Sequence, residues 1–217
     1  MKSRSLILAL VGVVALVGNC IAESLPNQPI EKLRFFDGSD LLTTTDAWSV
    51  EGDELVCSGA PYGYLVLSEK VQDYELSFEW TWDSAEGGNS GLLLHAIVGT
   101  SGFQTWPSCI EVQLQSGMAG DIFSIGQLVG FHGEGTVYVA PGAPVARLSR
   151  QGGKEKAADM WNAMKVVAKK DSLEVYLNGD LVNSITGVRP FFGAIALQSE
   201  GTPIRFRNIT LTSLAED

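Results

Sequence analysis

An all-β fold, with two antiparallel sheets packed as a single-domain sandwich, is what this 217-residue sequence predicts. Three observations carry that expectation. From Leu33 to Leu214 short runs rich in Val, Leu, Ile, Phe, Tyr and Trp recur, punctuated by Gly, Asp, Asn, Pro and Ser, the texture of antiparallel strands and turns rather than of βαβ units. Several runs alternate apolar with polar residues, as a strand with one buried and one wet face does. No apolar stripe of helical period is long enough for an amphipathic helix, and only the stretch 152–159 has room for a helical turn.

The chain opens with Lys2 and Arg4, followed by an apolar or small run from Leu6 to Gly18. That run is too short to cross a bilayer comfortably and has the layout of a secretory signal. Export, to the periplasm or the medium, is therefore expected. Two processing readings stand: a small-residue cut after Ala22, or lipidation of Cys20, for which Asn19 stands where Gly, Ala or Ser is wanted. No stop-transfer segment follows to favour an uncleaved anchor. Residues 23–32, polar with two prolines, read as an extended lead-in, and 33–214 as the domain.

Within the domain the first strands are expected at 48–50, 54–57 and 63–67. In 74–82, Tyr74, Leu76, Phe78, Trp80 and Trp82 fall on one face and Glu75, Ser77, Glu79 and Thr81 on the other. A strand at 92–97 follows. Residues 110–115 split into Ile110, Val112 and Leu114 inward and Glu111, Gln113 and Gln115 outward. Further strands are read at 137–139 and 163–169. The run 173–177 leads into Asn178-Gly179-Asp180, the strongest hairpin signal in the chain, so a strand at 181–185 returns beside it. Strands at 193–198 and 204–211 complete the set, and so many half-buried strands find their burial in a second sheet.

Composition narrows the function. The formal charge of −10 becomes −12 on removal of residues 1–22, which carry two of the 15 basic residues and none of the 25 acids. Such an acidic surface argues against nucleic acid and anionic membrane as partners. The 195 residues that remain suffice for one sizeable core. Cys57 and Cys109 either pair in an oxidising compartment or stand as small buried apolar residues. There is no Ser/His/Asp order, no Cys-x-x-Cys or His-x-x-x-His spacing and no dinucleotide fingerprint, so covalent catalysis, structural zinc and redox cofactors find no support. The loop Gly87-Gly88-Asn89-Ser90-Gly91 lacks a following helix and a Lys, and is no phosphate cradle.

A series of landmarks points to a family. In order they are Phe35-Phe36-Asp37-Gly38, Trp48-Ser49-Val50-Glu51-Gly52, Tyr74-Glu75-Leu76-Ser77-Phe78-Glu79-Trp80, Gly88-Asn89-Ser90-Gly91, Trp106-Pro107 leading to Ile110-Glu111-Val112-Gln113-Leu114, Trp161-Asn162, Tyr176-Leu177-Asn178-Gly179, Ile195-Ala196-Leu197-Gln198, and Gly201-Thr202-Pro203-Ile204-Arg205-Phe206. Over residues 33–214 the chain resembles the 3-keto-disaccharide hydrolase domains. The resemblance implies a concanavalin A-like jelly-roll sandwich, in exported proteins acting on oxidised glycosides. One landmark departs from the family: Ser199-Glu200-Gly201 stands where Asp-His-Gly is usual, so Glu200 must take over that histidine's role, as base or as metal ligand, if activity is kept.

A ketone at C3 of a sugar acidifies the proton on C2, so a base can remove it and expel the aglycone from C1, after which water adds across the double bond. Such a site needs a base, a group that stabilises the enolate oxygen and a donor for the leaving group, without the spaced carboxylate pair of ordinary glycosidases. Glu111 or His95 is the expected base, with Glu200 as the substitute for the family histidine. Gln113, Asn89, Glu79 and Gln198 are the expected orienting groups, and Trp106, Trp82 and Tyr62 the rings for stacking on sugar. Trp48, Trp80 and Trp161 read as core, and His132 as surface. A divalent cation held by oxygen ligands and His95 fits the same residues. Each polar residue alone is also explained as the wet face of a sheet, and Asn89, Asn162 and Asn208 as turn residues. A carbohydrate-binding module without turnover is the rival reading, and a structural surface protein a third.

Overall fold

The computed structural model describes residues 22–26, 29–37, 41–42, 46–100, 102–126, 128–138, 145–190 and 192–214. The run read as a secretory signal, up to residue 21 and with Cys20, lies outside the described residues, as do Gly38 of the first landmark and Val139. Among the described residues the chain forms eighteen strands and one short 3-10 turn, Ile30–Lys32. The strands are β1 Ala22–Ser24, β2 Arg34–Phe36, β3 Leu41–Leu42, β4 Trp48–Glu51, β5 Glu54–Cys57, β6 Gly63–Val71, β7 Tyr74–Trp82, β8 Gly91–Ile97 and β9 Ser108–Gln113. They continue with β10 Ile122–Ile125, β11 Gly130–His132, β12 Val137–Tyr138, β13 Val145–Leu148, β14 Asn162–Lys169, β15 Ser172–Leu177, β16 Asp180–Arg189, β17 Gly193–Ser199 and β18 Ile204–Ser213.

These strands make two antiparallel sheets. The back sheet runs β11-β16-β15-β14-β7-β18-β5-β4, with β1 alongside β18; the front sheet runs β12-β13-β10-β9-β8-β17-β6-β2-β3. Glu23 and Ser24, read as lead-in, thus lie in a strand paired with β18. No helical turn forms over 152–159; the stretch is held instead by Asn162, whose Oδ1 accepts the Lys156 N–H at 2.8 Å and Asn178 Nδ2–H at 2.9 Å.

The core between the sheets comes from the alternation. Leu76, Phe78, Trp80 and Trp82 of β7 and Phe206 of β18 meet Leu92 and Leu94 of β8, Ile110 and Val112 of β9, and Ile195 and Leu197 of β17. Burying a side chain of this size contributes about 1.5–3 kcal/mol. Less expected is a second buried cluster on the outer surface of the front sheet, with Tyr64, Val66, Leu93, Ala96, Trp106, Cys109, Ile125, Ala194 and Ala196. The central strands of the front sheet are therefore dry on both faces, and a polar group placed there sits in low dielectric.

Cys57 belongs to the inter-sheet core and Cys109 to the outer cluster, and both thiols are free. Of the two readings of the cysteines, small buried apolar residues is the one observed.

Candidate functional site

Three strands of the front sheet bring the polar groups together. Gly91 opens β8 opposite Gln113 of β9, and Leu93 stands opposite Glu111. On the other side Leu197 of β17 pairs with Leu92, which sets Gln198 beside Gly91. Glu111 and Gln198 converge over this glycine: a methyl group on Gly91 would overlap Glu111 Oε1 and Gln198 Oε1. With no Cβ between them the two side chains hydrogen-bond.

Past Gln198 the chain turns out of the sheet. The Ser199 hydroxyl donates to Pro61 O at 2.8 Å, and Glu200 is hydrogen-bonded by Asn89. The loop that carries Asn89 is stitched on both sides: Ser90 Oγ donates to Gln198 O at 2.9 Å, Leu114 N–H to Ser90 O at 3.0 Å and Ser116 N–H to Gly88 O at 3.0 Å. Its glycines allow the close packing, since a methyl on Gly88 would run into the Thr202 side chain. Asn89, Glu111, Gln198 and Glu200, scattered over more than a hundred positions, thereby form one cluster. Tyr62, exposed, sits at its edge, its hydroxyl close to Gly201.

The electrostatics follow from the burial. Glu111 is 6% exposed, and desolvation, reinforced by the nearby Glu200 charge, pushes its carboxyl from 4.5 up to about 8, against the lowering effect of the Gln198 hydrogen bond. Desolvation likewise raises Glu200 to about 7, with the Asn89 hydrogen bond opposing. Two carboxyls that both titrate near neutrality, beside each other, exchange protons readily in either direction. Gln198 Oε1 and Asn89 Oδ1 are buried and find no hydrogen-bond partner among the described residues, so the cluster presents acceptors to an incoming ligand.

Other expected site residues lie elsewhere. His95 is buried on the opposite face of the front sheet, edge-on to the core ring Tyr74 at 5.9 Å. A bulge explains it: His95 takes a φ of +51° and the β8–β9 register shifts between Leu94 and Ile97, so Leu93 and Ala96 share the outer cluster and His95 is turned inward. Its Nδ1–H donates to Pro190 O at 3.0 Å, and burial lowers its pKa to about 4, leaving a neutral ring. His95 is thus neither the base nor a ligand beside Glu111, and among the described residues no three His, Cys, Asp or Glu side chains form a metal-holding group.

Glu79 lies on the back sheet, because β7 pairs with β14 and β18, and the outer surfaces of the two sheets face away from each other. There it meets Arg207 Nε at 2.6 Å and Asn208 Nδ2 at 3.1 Å, a surface ion pair. Trp82 is 2% exposed in the inter-sheet core, where its even position on β7 puts it with Trp80; it does not stack on a ligand. Trp106 is on the correct surface but is 6% exposed, packed into the outer cluster. Gln113 adjoins the site, yet its Oε1 accepts the N–H groups of Leu114 at 2.9 Å and Gln115 at 2.7 Å, so its carbonyl end serves the backbone.

Sequence reasoning passed over part of this surface. Phe123 of β10 stands opposite Glu111, and Arg147 of β13 opposite Phe123, with its guanidinium 5.7 Å from the ring centroid and bound to Asp121 Oδ2 at 2.9 and 2.5 Å. The stretch Ile122-Phe123-Ser124-Ile125 between Asp121 and Gly126 is the trace that β10 leaves in the sequence, too short to be read as a strand alone. Tyr64, opposite Gln198 on β6, lies in the strand expected at 63–67, but its nearness to Gln198 depends on a strand pairing far along the chain.

Comparison with known proteins agrees with this architecture. The model of a 3-keto-alpha-glucoside-1,2-lyase-like domain matches residues 32–212. Among solved structures, a "putative glycosyl hydrolase" from Parabacteroides distasonis ATCC 8503 superposes with a TM-score of 0.62 at 18% identity, covering 89% of this chain and 100% of that one. The carbohydrate binding module CBM66 from Bacillus subtilis gives 0.55 at 14% identity, over 76% of this chain and 91% of that one. The VIP36 exoplasmic/lumenal domain in its Ca2+/Man-bound form gives 0.51 at 11% identity, over 79% and 82%. At these identities the likeness is one of fold, the jelly-roll sandwich. A search of curated protein sequences finds no match.

Proposed function

The chain belongs to the 3-keto-alpha-glucoside-1,2-lyase-like domain family, and on that premise we propose that it is an exported carbohydrate-active enzyme cleaving 3-keto-glycosides by elimination and hydration at Glu111. One observation carries the reading: the buried carboxyl of Glu111 and the half-buried one of Glu200 are pushed up to about 8 and about 7 and stand together on one surface. Proton abstraction next to a ketone and protonation of a departing oxygen want groups of this affinity near neutral pH.

In the proposed reaction the pair reacts with its shared proton on Glu200, the less populated of its two arrangements since Glu111 binds a proton the more tightly, and Glu111, ionised, takes the proton from C2 of the 3-keto sugar. The C2–H electron pair forms the C1=C2 double bond as the C1–O bond breaks, and Glu200, protonated, supplies the proton to the leaving oxygen. Water then adds at C1, giving its proton to the ionised Glu200, while Glu111 returns its proton to C2, so aglycone and 3-keto sugar are released and both acids regain their starting state. The free amide oxygens of Gln198, fixed against Glu111 by Gly91, and of Asn89 accept hydroxyl groups of the sugar and so orient it. His95 has no part in it.

The test is incubation of the purified mature chain with 3-keto-trehalose or a 3-keto-glucoside, following aglycone release by wild type and by Glu111→Gln. Release that falls by roughly 100-fold or more in the variant is expected, the usual range for a proton-transfer group. No release by folded wild type, combined with retention of unmodified polysaccharide, would replace this reading with that of a sugar-binding module, which the CBM66 likeness in fold favours second.

A further inference from the structure

Removing a proton next to a ketone puts negative charge on the ketone oxygen, and a site for this chemistry needs an N–H or O–H donor where that charge gathers. Two amides of the cluster are already committed. Gln198 gives its hydrogen bond to Glu111 and Asn89 gives its own to Glu200, and their buried oxygens, without partners among the described residues, can only accept. Arg147, two strands beyond Glu111, turns Nε and Nη2 to Asp121.

Gln113 is arranged the other way round. It is on the same face of β9 as Glu111, two residues and about 7 Å along the strand. Directly across from it on β8 is Gly91, which has no side chain, and beyond Gly91 in the same row is Gln198. The space over Gly91, where Glu111 Oε1 and Gln198 Oε1 converge, is thus walled on its β9 side by Gln113. Only the oxygen of an amide accepts, so the bonds that Gln113 Oε1 takes from Leu114 and Gln115 N–H settle which end of the side chain is which: the oxygen is tied to the chain and the Nε2 hydrogens are turned away from it. Those hydrogens have no partner among the described residues, and the carboxylate of Asp121 on the next strand is taken by Arg147 and the Arg150 N–H. The backbone is held as well, since Gln113 N–H donates to Asp121 O and Gln113 O accepts Gly120 N–H, both at 2.9 Å. A donor clamped in this way needs no rearrangement when charge appears in front of it.

We propose that an N–H of Gln113 Nε2 binds the C3 carbonyl oxygen of the substrate and stabilises the enolate as it forms. The inference rests on the reading of Glu111 as the base of a 3-keto-glycoside elimination. As Glu111 takes the C2 proton, part of the C2–H electron pair is drawn onto the C3 oxygen, and the pair completes the C1=C2 bond when the C1–O bond breaks. The amide donates a hydrogen bond throughout and transfers no proton.

Two variants test it, with circular dichroism and urea unfolding confirming the fold. Gln113→Glu keeps an acceptor for Leu114 and Gln115 N–H but has no N–H of its own; Gln113→Met loses both functions without adding charge. With 4-nitrophenyl 3-keto-glucoside, kcat and kcat/KM should fall together by roughly 100- to 1,000-fold in each, the loss typical of a missing oxyanion donor, with only Gln113→Met less stable than wild type. A second readout needs no turnover: the infrared C=O stretch of substrate labelled with carbon-13 at C3, bound to the Glu111→Gln protein, should lie at lower frequency with Gln113 than with either substitution added. Wild-type turnover in Gln113→Glu would reduce Gln113 to a residue that caps the backbone and would overturn the proposal, as would a stretch that neither substitution moves. A stretch that moves as expected, in a protein whose wild type releases no aglycone, would support the donor and sink the reading of Glu111 instead.

Discussion

Replacing Glu111 by Gln is expected to abolish turnover while making the protein more stable at alkaline pH. Burial holds the Glu111 carboxyl at about 8 instead of 4.5, so between those values the folded chain keeps a proton that the unfolded chain has released. The stability this proton confers is complete below about pH 4.5, declines as pH rises and is gone above about pH 8. For an isolated group the loss would reach about 5 kcal/mol, at 1.36 kcal/mol per tenfold change in proton affinity. Glu200, itself raised to about 7, carries part of the mutual repulsion. Gln is isosteric with the protonated acid and never ionises, so the variant lacks the decline. Urea unfolding at pH 5, 7 and 9 measures it: the two proteins should agree within about 1 kcal/mol at pH 5, the variant leading by about 2–4 kcal/mol at pH 9. Stability curves that stay parallel from pH 5 to 9 would refute the argument from burial.

Glu200→Gln removes the charge that helps to raise Glu111, so the residual pH–rate profile should move to more acid pH as the proton donor is lost; an unmoved profile would show the two acids to be uncoupled. Gly91→Ala inserts a methyl between Glu111 and Gln198, and the expected outcome is at least a tenfold drop in turnover at a stability cost of about 1–3 kcal/mol, by chemical denaturation. His95→Asn should leave the pH–rate profile as it is while costing about 1–3 kcal/mol, because the Pro190 carbonyl loses its donor. In the wild type the neutral His95 ring adds an acid limb to stability, lost as pH falls from 6.5 through about 4. Breaking the Glu79–Arg207 surface pair with Glu79→Gln should change stability by no more than about 1 kcal/mol and turnover not at all.

What the sequence made legible was whatever depends on neighbours along the chain. The alternation in 74–82 and 110–115 assigned Leu76, Phe78, Ile110 and Val112 to the core and Glu111 to the opposite surface, as observed. It also assigned Trp82 to the core, and reading that ring as a ligand contact set nearness to a loop above a period already in hand. His95 escaped because a bulge adds one residue and reverses the alternation, and the φ of +51° it requires leaves no mark in a non-glycine residue. Glu79 was grouped with Glu111 because strand order is non-local: nothing in 74–82 says that its partners are 162–169 and 204–213. The same limit hid the contact of Asn89 with Glu200, and the short strands β2, β10 and β13, whose three or four residues hold too little pattern to be recognised alone.

The place of β17 has a consequence for the order in which the molecule is assembled. This strand is laid between β6 and β8, yet it is made after about nine-tenths of the chain preceding it. Until it arrives, β6 and β8 each show an unsatisfied hydrogen-bonding edge, the kind of edge that pairs with other chains. Gln198 and Glu200 arrive with it, so a partly synthesised chain has neither a closed sheet nor a pair of carboxyls. Such long-range closure is slow compared with local folding. A chain of this design closes its front sheet and completes its carboxyl pair only when its last tenth is made, the order of events that the proposed export calls for.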